Sequence, residues 1–181
     1  IMGVLARTIT ARQMLRNWLV VYLGNFAGAL LVAALCVSGH VFSAFGGKLA
    51  ASVVTIAQTK AGLSFGDAFV RGILCNFLVC IAVWMANAAR TVGGKIAAVF
   101  FPIMAFVVAG FEHSVANMYY LAAGLFTAGQ TGAAAEGLTW GRALIGNLLP
   151  VTLGNLVGGG LLVGVSAWYL YLKKEINSVN S

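Results

Sequence analysis

The chain has 181 residues, 61% of them hydrophobic and only 8% charged, and its mean hydropathy is +0.95. A water-soluble domain cannot cover its surface with so few charges, so composition places the chain in a bilayer. The formal net charge of +7 comes from eleven basic residues against four acidic ones. They sit at the ends of apolar runs and form no patch interleaved with aromatics, which argues against a nucleic-acid partner.

Uncharged stretches run from Asn17 to Gly47, Gly72 to Ala89, Ile96 to Phe111, His113 to Ala135 and Ala143 to Leu172. Several reach the ~20 residues that a membrane-spanning helix needs. They are solidly apolar, not alternating, which excludes a strand-built barrel and predicts an all-α polytopic bundle in one pore-type domain, 1–181. Ile1 to Arg16 carries Arg7, Arg12 and Arg16 and lacks the pattern of a cleavable signal peptide.

In chain order, a short apolar piece comes first, within residues 1–15, and a span follows at roughly 16–38. A connection of about 25 residues comes next; its Lys48–Thr59 stretch is mildly amphipathic and is expected to lie on the outer surface. A second span covers 65–89. The following apolar segment is too long for one crossing and too short for a hairpin of two. It is expected to be a discontinuous helix, 95–110 and 111–127, broken near Gly110. Such breaks are tolerated in a membrane only where protein or a cavity surrounds them. The last span is 142–172.

Basic residues orient this set. Arg7, Arg12 and Arg16, then Arg90 and Lys95, then Lys173 and Lys174 are separated by even numbers of crossings, so all three clusters are expected on the cytoplasmic side, as is the C-terminus. Cys36, Cys75 and Cys80 lie singly in apolar runs and read as small core residues, with no metal spacing among them.

The chain also repeats itself. Arg16 to Leu31 aligns without gaps to Gly146 to Leu161. Asn17, Leu19, Val21, Leu23, Gly24, Asn25, Gly28 and Leu31 recur 130 positions on, and Arg12 pairs with Arg142 at the same offset. The first copy enters from the cytoplasm and the second from outside, so the repeat is inverted. That build is common in transport proteins, with the site near the midplane where the repeats meet. Only fifteen residues precede the first copy's Arg16, whereas a span and a broken helix precede the second. The start is therefore expected to be the remnant of a further broken helix, with one span and a half-helix missing ahead of it.

Glu112 and His113 stand at the break, where ionisable groups are costly. Glu112 falls in the first turn of the second half-helix, where a carboxylate suits the dipole and can cap free N–H groups. His113 can switch charge near neutral pH beside a helix N-terminus that attracts anions; a buried, hydrogen-bonded histidine is the plain alternative. Asn76 reads as cavity-lining or as an interhelical hydrogen bond. Lys60 reads as a solvated loop lysine, Phe106 as core packing, and the Gly24/Gly28 and Gly154/Gly158 pairs as close-packing faces.

Four blocks, NWLVVYLGNFAGALL, GILCNFLVCIAVWMA, AFVVAGFEHSVANM and NLLPVTLGNLVGGGLLVG, resemble the formate/nitrite transporter family in order, the formate branch above all. The resemblance implies an aquaporin-like fold, a pentamer with a pore in each protomer, location in the plasma (inner) membrane, and no cofactor or metal. It implies that His113 is the central pore histidine, Asn76 a pore asparagine and Lys60 an outer-vestibule lysine. It further implies constriction by Phe106 with Val79, and support of the histidine loop by Glu112 and Asn117. Formate is the expected substrate, with transient protonation near His113 coupling a proton to it; nitrite and hydrosulfide are alternatives within the family. From other classes come a haem-binding redox subunit using His40 and His113, a hydrolase using Ser114 with His113, and a neutral-solute pore.

Overall fold

The structure, a computed structural model, describes residues 1–173. Lys174, expected beside Lys173 as a cytoplasmic marker, lies outside the described residues. Every regular element among them is helical: α1 Met2–Leu5, α2 Ala11–Ser38, a 3-10 stretch Val41–Gly47, α3 Lys48–Ala61, α4 Phe65–Ala88, α5 Val92–Val108, α6 Ser114–Thr131 and α7 Arg142–Leu172.

Local chemistry explains where these helices start. Thr10 and Gln13 form a reciprocal capping box ahead of α2, Ser64 Oγ accepts from Asp67 N ahead of α4, and Thr91 Oγ1 accepts from Gly94 N ahead of α5. Each hydroxyl satisfies an N–H that the first helical turn leaves free. Among the described residues, Ala11–Ser38, Phe65–Ala88 and Arg142–Leu172 are long and apolar enough to cross a membrane; Val41–Ala61 matches them in length and composition, but its backbone leaves helical geometry at Ala44, Phe45 and Gly46, so its continuous part is the 14-residue α3. Their lipid-type side chains, such as Leu19, Val20, Leu31 and Leu35 on α2, point outward. This is a multi-pass membrane protein.

The connection after α2 differs from its sequence expectation. Residues 48–61 do not lie on the surface but form α3, packed against α6, with Ala50, Val54, Ala57 and Ala61 buried. The reason is small residues meeting small residues: Gly124 of α6 sits where any Cβ would run into Ala57. Amphipathicity here marked a helix face turned toward protein instead of an interface facing water.

The discontinuity falls at Gly110. Gly110 has φ +68, Phe111 N donates to Phe106 O at 2.9 Å and Gly110 N donates to Val107 O at 3.2 Å. Paired bonds of this kind close a helix through a left-handed residue, which glycine adopts without the Cβ penalty. After a short extended stretch α6 begins again at Ser114.

The repeat is visible as symmetry. Tyr22 Oη and Thr152 Oγ1 are 2.9 Å apart, and these two positions are each other's counterparts at the 130-residue offset. Symmetry-related residues touch only on the axis that relates them, so the pseudo-two-fold passes between α2 and α7 here. Around it α7 lies against α4, where a Cβ on Gly154 or Gly158 would strike the carbonyls of Phe69 and Ile73. Gly154→Ala should therefore destabilise the protein by about 1–3 kcal/mol through overpacking, whereas Gly129→Ala on α6, with open space around it, should leave the melting temperature within a degree or so of the parent. Thermal melts in detergent check the contrast.

Candidate functional site

The break between α5 and α6 exposes backbone groups that no helix satisfies, at a depth where water is scarce. Asn155 of α7 meets that need. Its Nδ2 donates to Glu112 O at 3.0 Å and to Gly72 O at 2.9 Å, and its Oδ1 accepts from Ser114 N at 3.0 Å. One side chain thus pins both edges of the break to α4. Glu112 N adds a bond to Arg71 O at 3.3 Å.

Glu112 is not in the first turn of α6, and its carboxylate caps nothing. It precedes the capping residue and points into a buried polar cluster, 3% exposed. There Lys60 Nζ lies 2.9 Å from Oε1, Asn117 Nδ2 donates to Oε2, and Asn147 Nδ2 donates to Oε2 at 3.3 Å. Asn147 also donates to Lys60 O at 2.9 Å and accepts from Asn117 Nδ2 at 2.8 Å. Lys60, then, is neither a loop residue nor solvated. It lies in the last turn of α3 with its side chain 16% exposed, paired with a buried carboxylate that needs a counter-charge. Asn117 Oδ1 is buried without a partner among the described residues.

The cap of α6 is His113. Its Nδ1 accepts from Ala116 N at 3.2 Å, so the ring proton of the neutral imidazole is assigned to Nε2. The ring stacks on Phe106 at 6.1 Å between centroids and 17° between planes. With Nδ1 engaged by the backbone and Ser114 N held by Asn155, the geometry does not pair His113 with Ser114 as base and nucleophile.

Asn76 makes an interhelical bond, donating from Nδ2 to Asn155 O at 2.6 Å, and so joins the outer edge of the same network. Val79, one turn further along α4, is half-buried and lies outside the network. Of the seven site residues read from sequence, six meet here: Lys60, Asn76, Phe106, Glu112, His113 and Asn117. Sequence reasoning missed Asn147 and Asn155, which hold the others together. Their signal was present, since both recur as Asn17 and Asn25 in the repeat.

Interrupted membrane helix, inverted repeat and buried polar cluster at the break define a membrane protein of inverted-repeat build, the architecture in which many transport proteins are made. The family pattern of formate/nitrite transporters matches residues 1–169, and the chain belongs to that family. It is 42% identical to the formate channel FocA of Haemophilus influenzae, over 90% of this chain and 61% of that protein. Identity to a probable formate transporter of Methanothermobacter thermautotrophicus is 38%, over 96% and 65% respectively. A solved pentameric formate channel with formate bound superimposes with a TM-score of 0.81 at 37% identity, covering 91% of this chain and 69% of the other. The chain thus spans a little under two thirds of the length of these curated relatives.

Removing one partner of the buried pair leaves the other charge stranded, at a cost of about 3–5 kcal/mol. Lys60→Met should lower the melting temperature sharply, and Lys60→Met combined with Glu112→Gln should recover much of the loss. A double-mutant cycle by thermal melt measures the coupling; additive losses would show the pair to be idle.

Proposed function

We propose that the polypeptide carrying this chain passes small monovalent anions, formate first among them, through a pore in each protomer with His113 at its centre. The observation that carries this reading is the held break: an imidazole at the N-terminus of α6, stacked on Phe106, with Glu112 N, Glu112 O and Ser114 N on either side of it fixed from α4 and α7. Rigid placement of one polar ring in an apolar channel suits recognition of a transient guest. The relatives named for formate support that substrate.

In this pore the Nε2–H donates a hydrogen bond to the anion. The Ala116 N–H occupies Nδ1, so a proton arriving at that nitrogen would have to displace the cap. Phe106 narrows the path beside the ring and Val79 contributes to the wall from α4; Asn76 keeps the α4 side polar. Lys60 raises the local potential less than a free lysine would, because Glu112 neutralises it at 2.9 Å. Nitrite and hydrosulfide share size and charge with formate and form the alternatives. The assembly is a homopentamer in the plasma membrane, as the solved relative's pentamer supports, with the clusters around Arg12, Arg90 and Lys173 and the C-terminus cytoplasmic.

Formate flux through proteoliposomes carrying the full polypeptide, followed from pH 5 to 8, tests the reading. His113→Asn and His113→Phe should abolish or flatten its pH dependence while the pentamer persists. Full flux with unchanged pH dependence would remove His113 from the path. Competition among formate, nitrite, hydrosulfide and acetate in the same vesicles assigns the substrate, and exclusion of formate with passage of nitrite would overturn the formate choice alone.

A further inference from the structure

α6 is enclosed on most of its surface. It packs on α2 and α3, with Asn117, Met118, Leu121 and Gly124 buried. One stripe stays open over its first two turns: His113 and Ala116 are half-buried, and Tyr120 is 39% exposed. Seven residues at about 100° each come within about 20° of two full turns, so Tyr120 stands on the same face as His113, roughly 10.5 Å further along the axis. Ala116, between them, covers the stripe with no more than a methyl group.

The Tyr120 ring is held, whereas its hydroxyl is not. The Lys60 ammonium lies over the ring, 5.5 Å from its centroid, and Tyr119 meets it edge-on at 5.9 Å between centroids. Tyr119 directs its own Oη to Cys36 Sγ at 3.7 Å, but among the described residues no hydrogen bond reaches Tyr120 Oη. A phenol fixed by its ring with an unengaged O–H is a pre-organised donor. Lys60 offers no free charge beside it, since the Glu112 carboxylate balances that ammonium at 2.9 Å. What remains on offer is the hydroxyl.

We propose that Tyr120 is a second recognition point for the permeating anion, its Oη–H donating to a small oxyanion two turns from His113 on the open face of α6. The inference rests on the pore reading above and adds a selectivity to it. Carboxylate and nitrite oxygens accept strongly from an O–H, whereas sulfur is a weak acceptor. Tyr120 therefore favours oxyanions over hydrosulfide, a distinction that charge alone does not make.

Flux through proteoliposomes carrying the full polypeptide, measured against the concentration of formate, nitrite and hydrosulfide in turn, tests it. Tyr120→Phe keeps the ring against Lys60 and Tyr119 and removes only the hydroxyl. It should raise the half-saturating concentration of formate and nitrite roughly five- to tenfold, the effect of one hydrogen bond to a charged acceptor, and leave hydrosulfide within about twofold of the parent. Equal values for parent and variant with every anion overturn the proposal and make Tyr120 an interfacial aromatic. An equal shift for all three anions overturns it as well, because a displaced Lys60 would act on charge and not on acceptor type. Should Tyr120→Phe not assemble, 3-fluorotyrosine placed at Tyr120 tests the opposite sign: its more acidic phenol donates better and should lower the half-saturating formate concentration, and an unmoved value overturns the proposal. The parent decides the pore reading separately. Nitrite admitted with formate excluded removes the formate choice and leaves the nitrite shift to decide Tyr120, whereas passage of no oxyanion ends both.

Discussion

The structure depends on how one carboxylate is kept in the membrane. A helix broken at Gly110 leaves free N–H and C=O groups where water cannot reach, and Glu112 adds a charge to them. Both debts of solvation are met by side chains from outside the broken helix. Asn155 satisfies the backbone, Lys60 the charge, and Asn147 ties the two together through the Lys60 carbonyl. Because α3, α4, α6 and α7 each contribute, the break cannot relax without disturbing four helices. That is what a fixed imidazole at His113 requires, and it explains why so many polar groups are tolerated in a chain so poor in them.

Close helix approach is the other half of this arrangement. Asn155 reaches Gly72 O at 2.9 Å only because α4 and α7 meet backbone to backbone at Gly72, Gly154 and Gly158. With no hydrophobic drive between helices in lipid, such contact supplies the packing and the asparagines supply the specificity. Glycine stripe and asparagine pair therefore act as one device on α7.

Much of this was legible beforehand, for identifiable reasons. Long apolar runs mark spans because backbone in lipid must be helical, and Gly110 in an overlong run marks the break because glycine takes the left-handed φ that closes a helix without a Cβ penalty. The gapless repeat exposed the inversion. Positions whose roles depend on distant partners were less legible. Lys60 looked solvated because nothing local to residues 48–61 reveals that Glu112 stands 2.9 Å away. Glu112 looked like a cap because helical phase was counted from Gly110, whereas three non-helical residues intervene and pass that role to His113. Asn147 and Asn155 were read as part of a packing pattern, though two asparagines recurring in the middle of apolar spans are themselves the sign of a polar load to be carried.

The same geometry bears on how an anion pore of this kind would release its guest. An uncompensated lysine at this depth would hold a formate-sized anion tightly, by several kcal/mol at low effective dielectric. Conduction needs binding strong enough to admit the ion and weak enough to let it leave. Pairing Lys60 with Glu112 cancels the monopole and leaves a dipole, whose attraction falls off faster with distance. The cap on Nδ1 leaves Nε2 as the nitrogen free to face a guest, where its N–H is a donor. In the pore reading, then, the network beneath His113 does more than hold the loop. Pairing Lys60 with Glu112 would leave a passing anion with hydrogen-bond donors to meet and no unpaired lysine to trap it.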